Sequence, residues 1–227
     1  MTIKLIDVGA ANYKLEERWL FLQHNVDVVL FEPDLRSYKE LSSEGANIYN
    51  FALGEKTTVQ QLNLTRKKEC SSFYTPNMKY LSKFPNKDRW DIVGCVDVNV
   101  RTLDSFDLDA EFIKLDTQGS ELDILKGAEK TIKSVLGLQV EVSFLEIYQD
   151  QPLFGEVCEF LLSHGFEFFE FITEYRYGRK ELNRKGQLAF ADALFLRPPE
   201  LVEKMSLEKQ KKYTSIVKAY GKEDLAI

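Results

Sequence analysis

The sequence predicts an α/β fold: a doubly wound, Rossmann-like sheet of about five parallel strands followed by an antiparallel pair, with helices on both faces. Three observations lead there. Residues 1–55 alternate strand, helix, strand, helix, strand, the signature of a parallel sheet with crossover helices. Two later runs, 111–115 and 135–144, are almost continuously apolar, as strands covered on both faces must be. The runs at 166–175 and 186–196 complete the sheet as an antiparallel pair, the first alternating apolar and acidic residues and the second stopped by Pro198 and Pro199.

Taken in order, "IKLIDV" (3–8) is a short β-branched strand, and "YKLEERWLFLQHN" (13–25) places Leu15, Trp19 and Leu22 on one helical face. "VDVVLFEPD" (26–34) is a second strand ending in an acid and a proline. "LRSYKELSS" is a helix, and "NIYNFALGE" (47–55) is a third strand and its exit. "TTVQQLNLT" (57–65) reads as a strand with one solvated face. Residues 66–94 lack long periodicity, but Phe73, Tyr74, Tyr80, Phe84 and Trp90 make them too apolar for a disordered linker. They are expected to form an ordered insertion or lid, with Ser71, Ser72, Tyr74 and Asn77 offering polar groups to a ligand. A strand at 96–100 follows, and a helix starts near Ser120. "PLFGEVCEFLLSHG" is an amphipathic helix closed by Gly165. The chain thus reads as one domain over 1–199 with an insertion at about 66–94, and a C-terminal helical tail, 200–227, charged and with little to bury.

Composition narrows the function. With 227 residues and 44% hydrophobic content, the chain can bury one sizeable core. A net charge of −6 argues against a general nucleic-acid or anionic-membrane surface. No apolar run reaches membrane-spanning length. Cys70, Cys95 and Cys158 are far apart and in no metal spacing, which fits a reducing cytoplasm. His24 and His164, the two histidines, both fall where helices end and read as solvated, leaving a His-centred mechanism little material.

In doubly wound sheets, ligands bind beyond the carboxyl ends of the strands. Asp7 with Gly9, Glu32, Asp116 and Glu141 all fall at or just past such ends, so four strands each bring an acid to one edge. "IDVGAAN" is a strand–glycine–helix junction. It is not a dinucleotide fingerprint, because Ala11 and Lys14 stand where the second and third glycines belong, and it is not a Walker loop. Glu32, about 20 residues on, is placed to take two hydrogen bonds from a ribose diol, while Asp34 serves as the cap of the next helix. In "LDTQGSE", Glu121 is accounted for by the helix dipole, but Asp116 is not. Glu141 inside "LQVEVSF" is costly unless it is paired or reaches a polar cavity. "EYRYGRK" (174–180) combines aromatic faces with Arg176, Arg179 and Lys180. That suits sugars or acidic groups, and equally a solvated hairpin tip.

These strings together ("IDVGA", "FEPD", "FALG", "RTLD", "FIKLDTQGSELDILKGAE" and "VEV") resemble the FkbM-type S-adenosylmethionine-dependent methyltransferases over residues 3 to about 145. The resemblance implies the class I methyltransferase fold, a seven-stranded mixed sheet with its last strand antiparallel. It also implies methyl transfer from S-adenosyl-L-methionine, usually to a hydroxyl of a sugar, polyketide or similar metabolite. Carried over by position, Asp7, Gly9 and Ala10 would shape the pocket for the methionine part of the donor, and Glu32 would bind the ribose. Phe51 and Ala52 would lie near the adenine, Asp116 would sit beside the transferred methyl, and Glu141 is the family's acid in the fifth strand. Two positions depart: Tyr13 stands where many relatives have a further glycine, and Gln118 where many have glutamate.

Asp116 and Glu141 are the expected bases for the hydroxyl proton. They are also oxygen donors suited to one Mg²⁺, but metal-free chemistry is the expectation and no metal ligand is assigned. The partners expected are a small-molecule or glycan acceptor and no nucleic acid, with the tail at 200–227 available for a homo-oligomer interface. Two other readings stand beside this one: a donor-binding relic acting as partner or sensor, and, more weakly, a nicotinamide oxidoreductase.

Overall fold

The computed structural model describes residues 1–11, 13–22, 25–179 and 186–227. Strands β1 (Ile3–Val8) and β2 (Val26–Phe31) lead to helix α1 (Leu35–Ser43), then β3 (Ile48–Tyr49), β4 (Ala52–Leu53) and β5 (Thr58–Thr65). Helix α2 (Met78–Leu81), β6 (Ile92–Arg101), β7 (Phe112–Leu115), α3 (Glu121–Lys126), β8 (Gly137–Ser143) and α4 (Phe154–Ser163) follow. The chain ends with β9 (Glu167–Tyr177), β10 (Gln187–Leu196), α5 (Pro199–Val202) and α6 (Leu207–Ala219).

Seven strands form one sheet in the order β3-β2-β1-β7-β8-β10-β9. The first five are parallel, and β10 runs antiparallel to both its neighbours. Strand order reverses at β1 and β7, so a crevice opens there beyond the carboxyl ends. The sheet is covered on both sides. Ile6, Val8, Ile113, Leu115, Leu138 and Val140 pack on one face against Leu125, Ile132, Val157 and Leu161. Ile3, Leu5, Phe112, Leu194 and Leu196 pack on the other against Trp19, Tyr213, Ile216 and Val217.

The structure departs from the sequence reading in four places. Of the segment expected as a helix over 13–25, the described residues 13–22 form a 3-10 helix, Glu17–Leu22, rather than an α-helix. Trp19 and Leu22 still share a face, because three-residue spacing is the 3-10 repeat. His24 falls outside the described residues. The third strand is split. Its first half, β3, pairs with β2, and its second half, β4, joins a separate three-stranded sheet, β4-β6-β5. At the break, the Asn50 amide donates to the carbonyls of Glu32 (2.9 Å) and Pro33 (3.2 Å), tying it to the exit of β2. The strand expected at 96–100 starts earlier, so 92–94 belong to β6 rather than to the insertion. The rest of the insertion packs Cys70, Leu81, Phe84 and Trp90 against Leu145, Ile147 and Tyr148.

The fourth departure is the tail. It is helical, but far from having little to bury: Tyr213, Ile216 and Val217 of α6 are fully covered, and Tyr220 stacks on Phe112 at 5.3 Å. Its charged face is anchored too. Lys209 and Lys212 each reach the buried Glu111 carboxylate at 3.0 Å. Ile216→Ala is therefore expected to cost about 2–5 kcal/mol of stability, read by urea unfolding. A loss below about 0.5 kcal/mol, normal for a surface residue, would contradict this packing.

Candidate active site

The crevice is built from backbone first. Asp116 N–H donates to the Val8 carbonyl at 3.0 Å, joining the tips of β1 and β7. Gly9 then turns with φ +84°, and a Cβ on it would lie 1.8 Å from the Asp116 carbonyl oxygen, so only glycine fits. On the other side of Asp116, Gln118 takes the left-handed conformation, φ +56°, followed by Gly119 at φ +106°. This fold-back is closed by Glu121, whose carboxylate accepts from Thr117 N (2.7 Å), Thr117 Oγ1 (3.0 Å) and Gly119 N (3.0 Å). Glu121 is thus a turn-closing group as well as an acid in the first turn of α3.

The turn sends the Gln118 side chain across the strand tips. Its Nε2 donates toward Asp116 Oδ1 at 2.9 Å and toward both Glu141 oxygens at 3.1 Å. Its Oε1 accepts from the Tyr148 hydroxyl at 3.0 Å, and its backbone carbonyl accepts from Ser72 Oγ of the insertion at 2.7 Å. The charge placed inside an apolar strand is explained by this bridge: Glu141 is half-buried, hydrogen-bonded, and faces a second carboxylate. Removal from water, then the nearby Asp116 charge, hold its pKa well above the usual range.

A cavity of about 270 Å³ spans the crevice. Gly9, Ala11, Glu32, Phe51 and Ala52 from the exits of β1, β2 and the split third strand line it, together with Asp116, Gln118 and Glu141. Ser71, Ser72, Phe73, Arg89 and Trp90 of the insertion wall it, with Tyr175, Tyr177 and Phe190 from β9 and β10. Glu32 is buried and accepts from Asp34 N at 2.7 Å; burial pushes its pKa up to about 7. Asp34 caps α1 by accepting from Arg36 N, so the two acids of "FEPD" divide the work. The Oγ atoms of Ser37 and Ser120 are buried without hydrogen-bond partners, and both residues line the cavity. Unpaired polar atoms around a cavity suit a polar ligand.

Glu32, Phe51, Ala52, Asp116, Glu141 and Gly9 therefore meet at one cavity. Asp7 and Ala10 do not reach it. Asp7 has the strand parity of Leu5, not of Val8, and points to the opposite face, 3.5 Å from Lys114. Burial lifts the Asp7 pKa to about 6 against the pull of Lys114. Ala10 packs with Leu30 and Leu41. In the insertion, Tyr74 donates to Asp123 at 3.0 Å and Asn77 caps α2, so neither lines the cavity, while Ser71 and Ser72 do. Arg176 pairs with Glu174 at 2.8 Å, and Lys180 falls outside the described residues. His164 closes α4, its ring stacked on Phe160 at 4.1 Å. Sequence reasoning missed Gln118 as a bridge, having noted it only as a departure from glutamate, and it did not single out Tyr148. Among the described residues no three or more His, Cys, Asp or Glu side chains converge as a metal-binding group, and no helix is long and apolar enough to cross a membrane.

A parallel sheet with this order, an antiparallel penultimate strand and a glycine turn under the crevice define a Rossmann-like fold of the methyltransferase type. The sequence profile of the methyltransferase FkbM domain matches residues 7–168, and the chain belongs to that family. Among solved structures, an FkbM methyltransferase from Methylobacillus flagellatus KT superposes with a TM-score of 0.51 at 17% identity, covering 86% of this chain and 43% of that one. The chain thus spans under half the length of that protein. Magnesium protoporphyrin IX methyltransferase (ChlM) from Synechocystis PCC 6803 has a TM-score of 0.43 at 9% identity, covering 86% of this chain and 70% of its own. No curated protein matches the chain.

Two outcomes are expected. Burial holds Asp7 and Asp192 at about 6 and Glu32 and Glu121 at about 7, with Glu141 raised as well. The folded chain keeps these protons where the unfolded chain has lost them. Their contribution is complete below about pH 4 and is lost as pH rises through 6 to 7. Glu111, lowered despite burial by hydrogen bonds from Lys4 N, Lys209 and Lys212, costs stability only on the acid side of the usual carboxylate pKa. The calorimetric melting point should therefore fall from about pH 5.5 to about pH 8; a rise across that window would contradict the assignment. Separately, Gly9→Ala should force β1 and β7 apart and cost at least about 1–3 kcal/mol of stability, measured by urea unfolding.

Proposed function

We propose that this protein transfers a methyl group from S-adenosyl-L-methionine to a hydroxyl oxygen of a sugar, glycan or related metabolite. The observation that carries the reading is the Asp116–Gln118–Glu141 group opening into the same cavity as Glu32, in a chain of the FkbM methyltransferase family. When bound, the donor supplies a sulfonium-activated methyl group whose transfer leaves a neutral thioether. Glu32 is assigned to the ribose diol, Phe51 and Ala52 to the adenine side, and Gly9 to the backbone floor beneath the donor. Asp116 faces the reacting centre.

An alcohol is far less acidic than a carboxylic acid, so the base must take the proton as the carbon–oxygen bond forms. Glu141 suits that role. Its raised pKa makes it a better proton acceptor once ionised, and Asp116 beside it favours the protonated product. The Gln118 amide keeps the two carboxyl groups at fixed distance, so no reorganisation is needed at the moment of reaction. The insertion and β9–β10 wall the site.

The first test is calorimetric titration with S-adenosylmethionine and S-adenosylhomocysteine, with and without Mg²⁺, followed by turnover on hydroxylated acceptors. Absence of donor binding would refute the proposal. Glu141→Gln should lower kcat by about 10²- to 10⁴-fold while S-adenosylhomocysteine affinity stays within about twofold. Glu32→Ala should show the reverse pattern, losing about tenfold or more in donor affinity.

A further inference from the structure

The cavity has a cation that the methyl-transfer reading does not use. Arg89 lies in the 3-10 turn Lys87–Trp90 of the insertion, half-buried, and lines the cavity. Its guanidinium carbon sits 3.9 Å from the Trp90 ring centroid and 5.1 Å from that of Tyr177. Its Nε is buried without a hydrogen-bond partner. Neither Glu32, Asp116 nor Glu141 forms an ion pair with it. The other cations along this wall are differently placed: Lys67 is exposed, and Lys68 is held by Glu40 at 2.9 Å.

We propose that the acceptor is anionic, and that a carboxylate or phosphate on it binds the Arg89 guanidinium in the aromatic lobe formed by Trp90, Tyr177 and Phe190. The inference rests on the methyl-transfer reading and names the acceptor class for it. Ring faces hold the guanidinium plane and leave its N–H edge for a planar or tetrahedral oxyanion, the bidentate geometry that arginine serves and lysine does not. The order of strands gives the acceptor a direction. Glu32, at the exit of β2, lies far along the sheet order from this lobe, whereas Glu141 is carried by β8, the strand next to β10. Tyr177 and Phe190 come from β9 and β10, at the other edge of the sheet order. An acceptor gripped at Arg89 therefore lies beside the strand that carries Glu141, with its hydroxyl-bearing part next to the Asp116–Glu141 pair.

The test uses the full chain saturated with S-adenosylhomocysteine and three ring-matched probes: methyl β-D-glucuronide, glucose 6-phosphate and the neutral methyl β-D-glucoside. Calorimetry should show at least one anion binding about tenfold or more tighter than the glucoside. Arg89→Gln should erase that preference while S-adenosylhomocysteine affinity stays within about twofold. Arg89→Lys, which keeps the charge over the rings, should reduce it by about threefold or more, and serves if the glutamine variant does not fold. Equal affinity for all three probes, no binding of either anion, or a preference unchanged in either folded variant would overturn the proposal. Failure to bind S-adenosylhomocysteine at all would instead sink the methyl-transfer reading, whereas normal donor binding without an anion preference sinks this inference alone.

Discussion

The site depends on how closely two backbones can approach. Val8, Gly9 and Asp116 bring β1 and β7 together where the strand order reverses, with a hydrogen bond on one side and, on the other, a glycine that leaves no room for a side chain. Everything that lines the cavity is arranged about that seam. The residues beneath β1 and β2 lie on one side of it, and the carboxyl pair of β7 and β8 on the other. Because the seam is backbone against backbone, its spacing is set by covalent geometry rather than by rotamers, and the groups on either side inherit that precision.

The same edge of the sheet also shows that proximity to strand ends does not by itself define a site. Asp7 and Asp116 are carried by neighbouring strands, yet only Asp116 opens into the crevice. Alternation along β1 turns Asp7 to the far face, where Lys114, Tyr13 and Glu16 form a small polar enclosure under Tyr220. Asp7 there offsets a buried cation. Its other oxygen has no hydrogen-bond partner, a local cost accepted in the face that α6 seals. The apolar side of α6 is spent inside its own chain, which reduces what the segment 200–227 can offer to a second copy.

Much of this was legible in the residues. Parallel strands were readable because burial on both faces demands unbroken apolar runs, and α1 runs over the nine residues of "LRSYKELSS" because Asp34 marks its start. Glu32, Asp116 and Glu141 converge because strand direction alone puts them on one rim. The misses have equally local causes. Tyr213, Ile216, Val217 and Tyr220 follow the i, i+3, i+4, i+7 spacing of a buried stripe, a signal present but hidden among lysines. The parity of Asp7 against Val8 could have been read in the same way. Gln118 could not: its bridge needs a left-handed backbone at a non-glycine residue, which side-chain pattern does not announce. Nor could the break at Asn50, since it reflects competition between two sheets for one short segment.

The β9–β10 pair closes the cavity from a different part of the chain than the seam does. The profile shared across the family stops at residue 168, just inside β9, whereas Tyr175, Tyr177 and Phe190 close the cavity from beyond it. The matched profile thus spans the seam, Glu32 and the carboxyl pair, while the opposite wall is built after it. On the proposed reading, exchanging residues on this one hairpin would alter what the acceptor side accommodates while leaving Glu32 and the carboxyl pair in place.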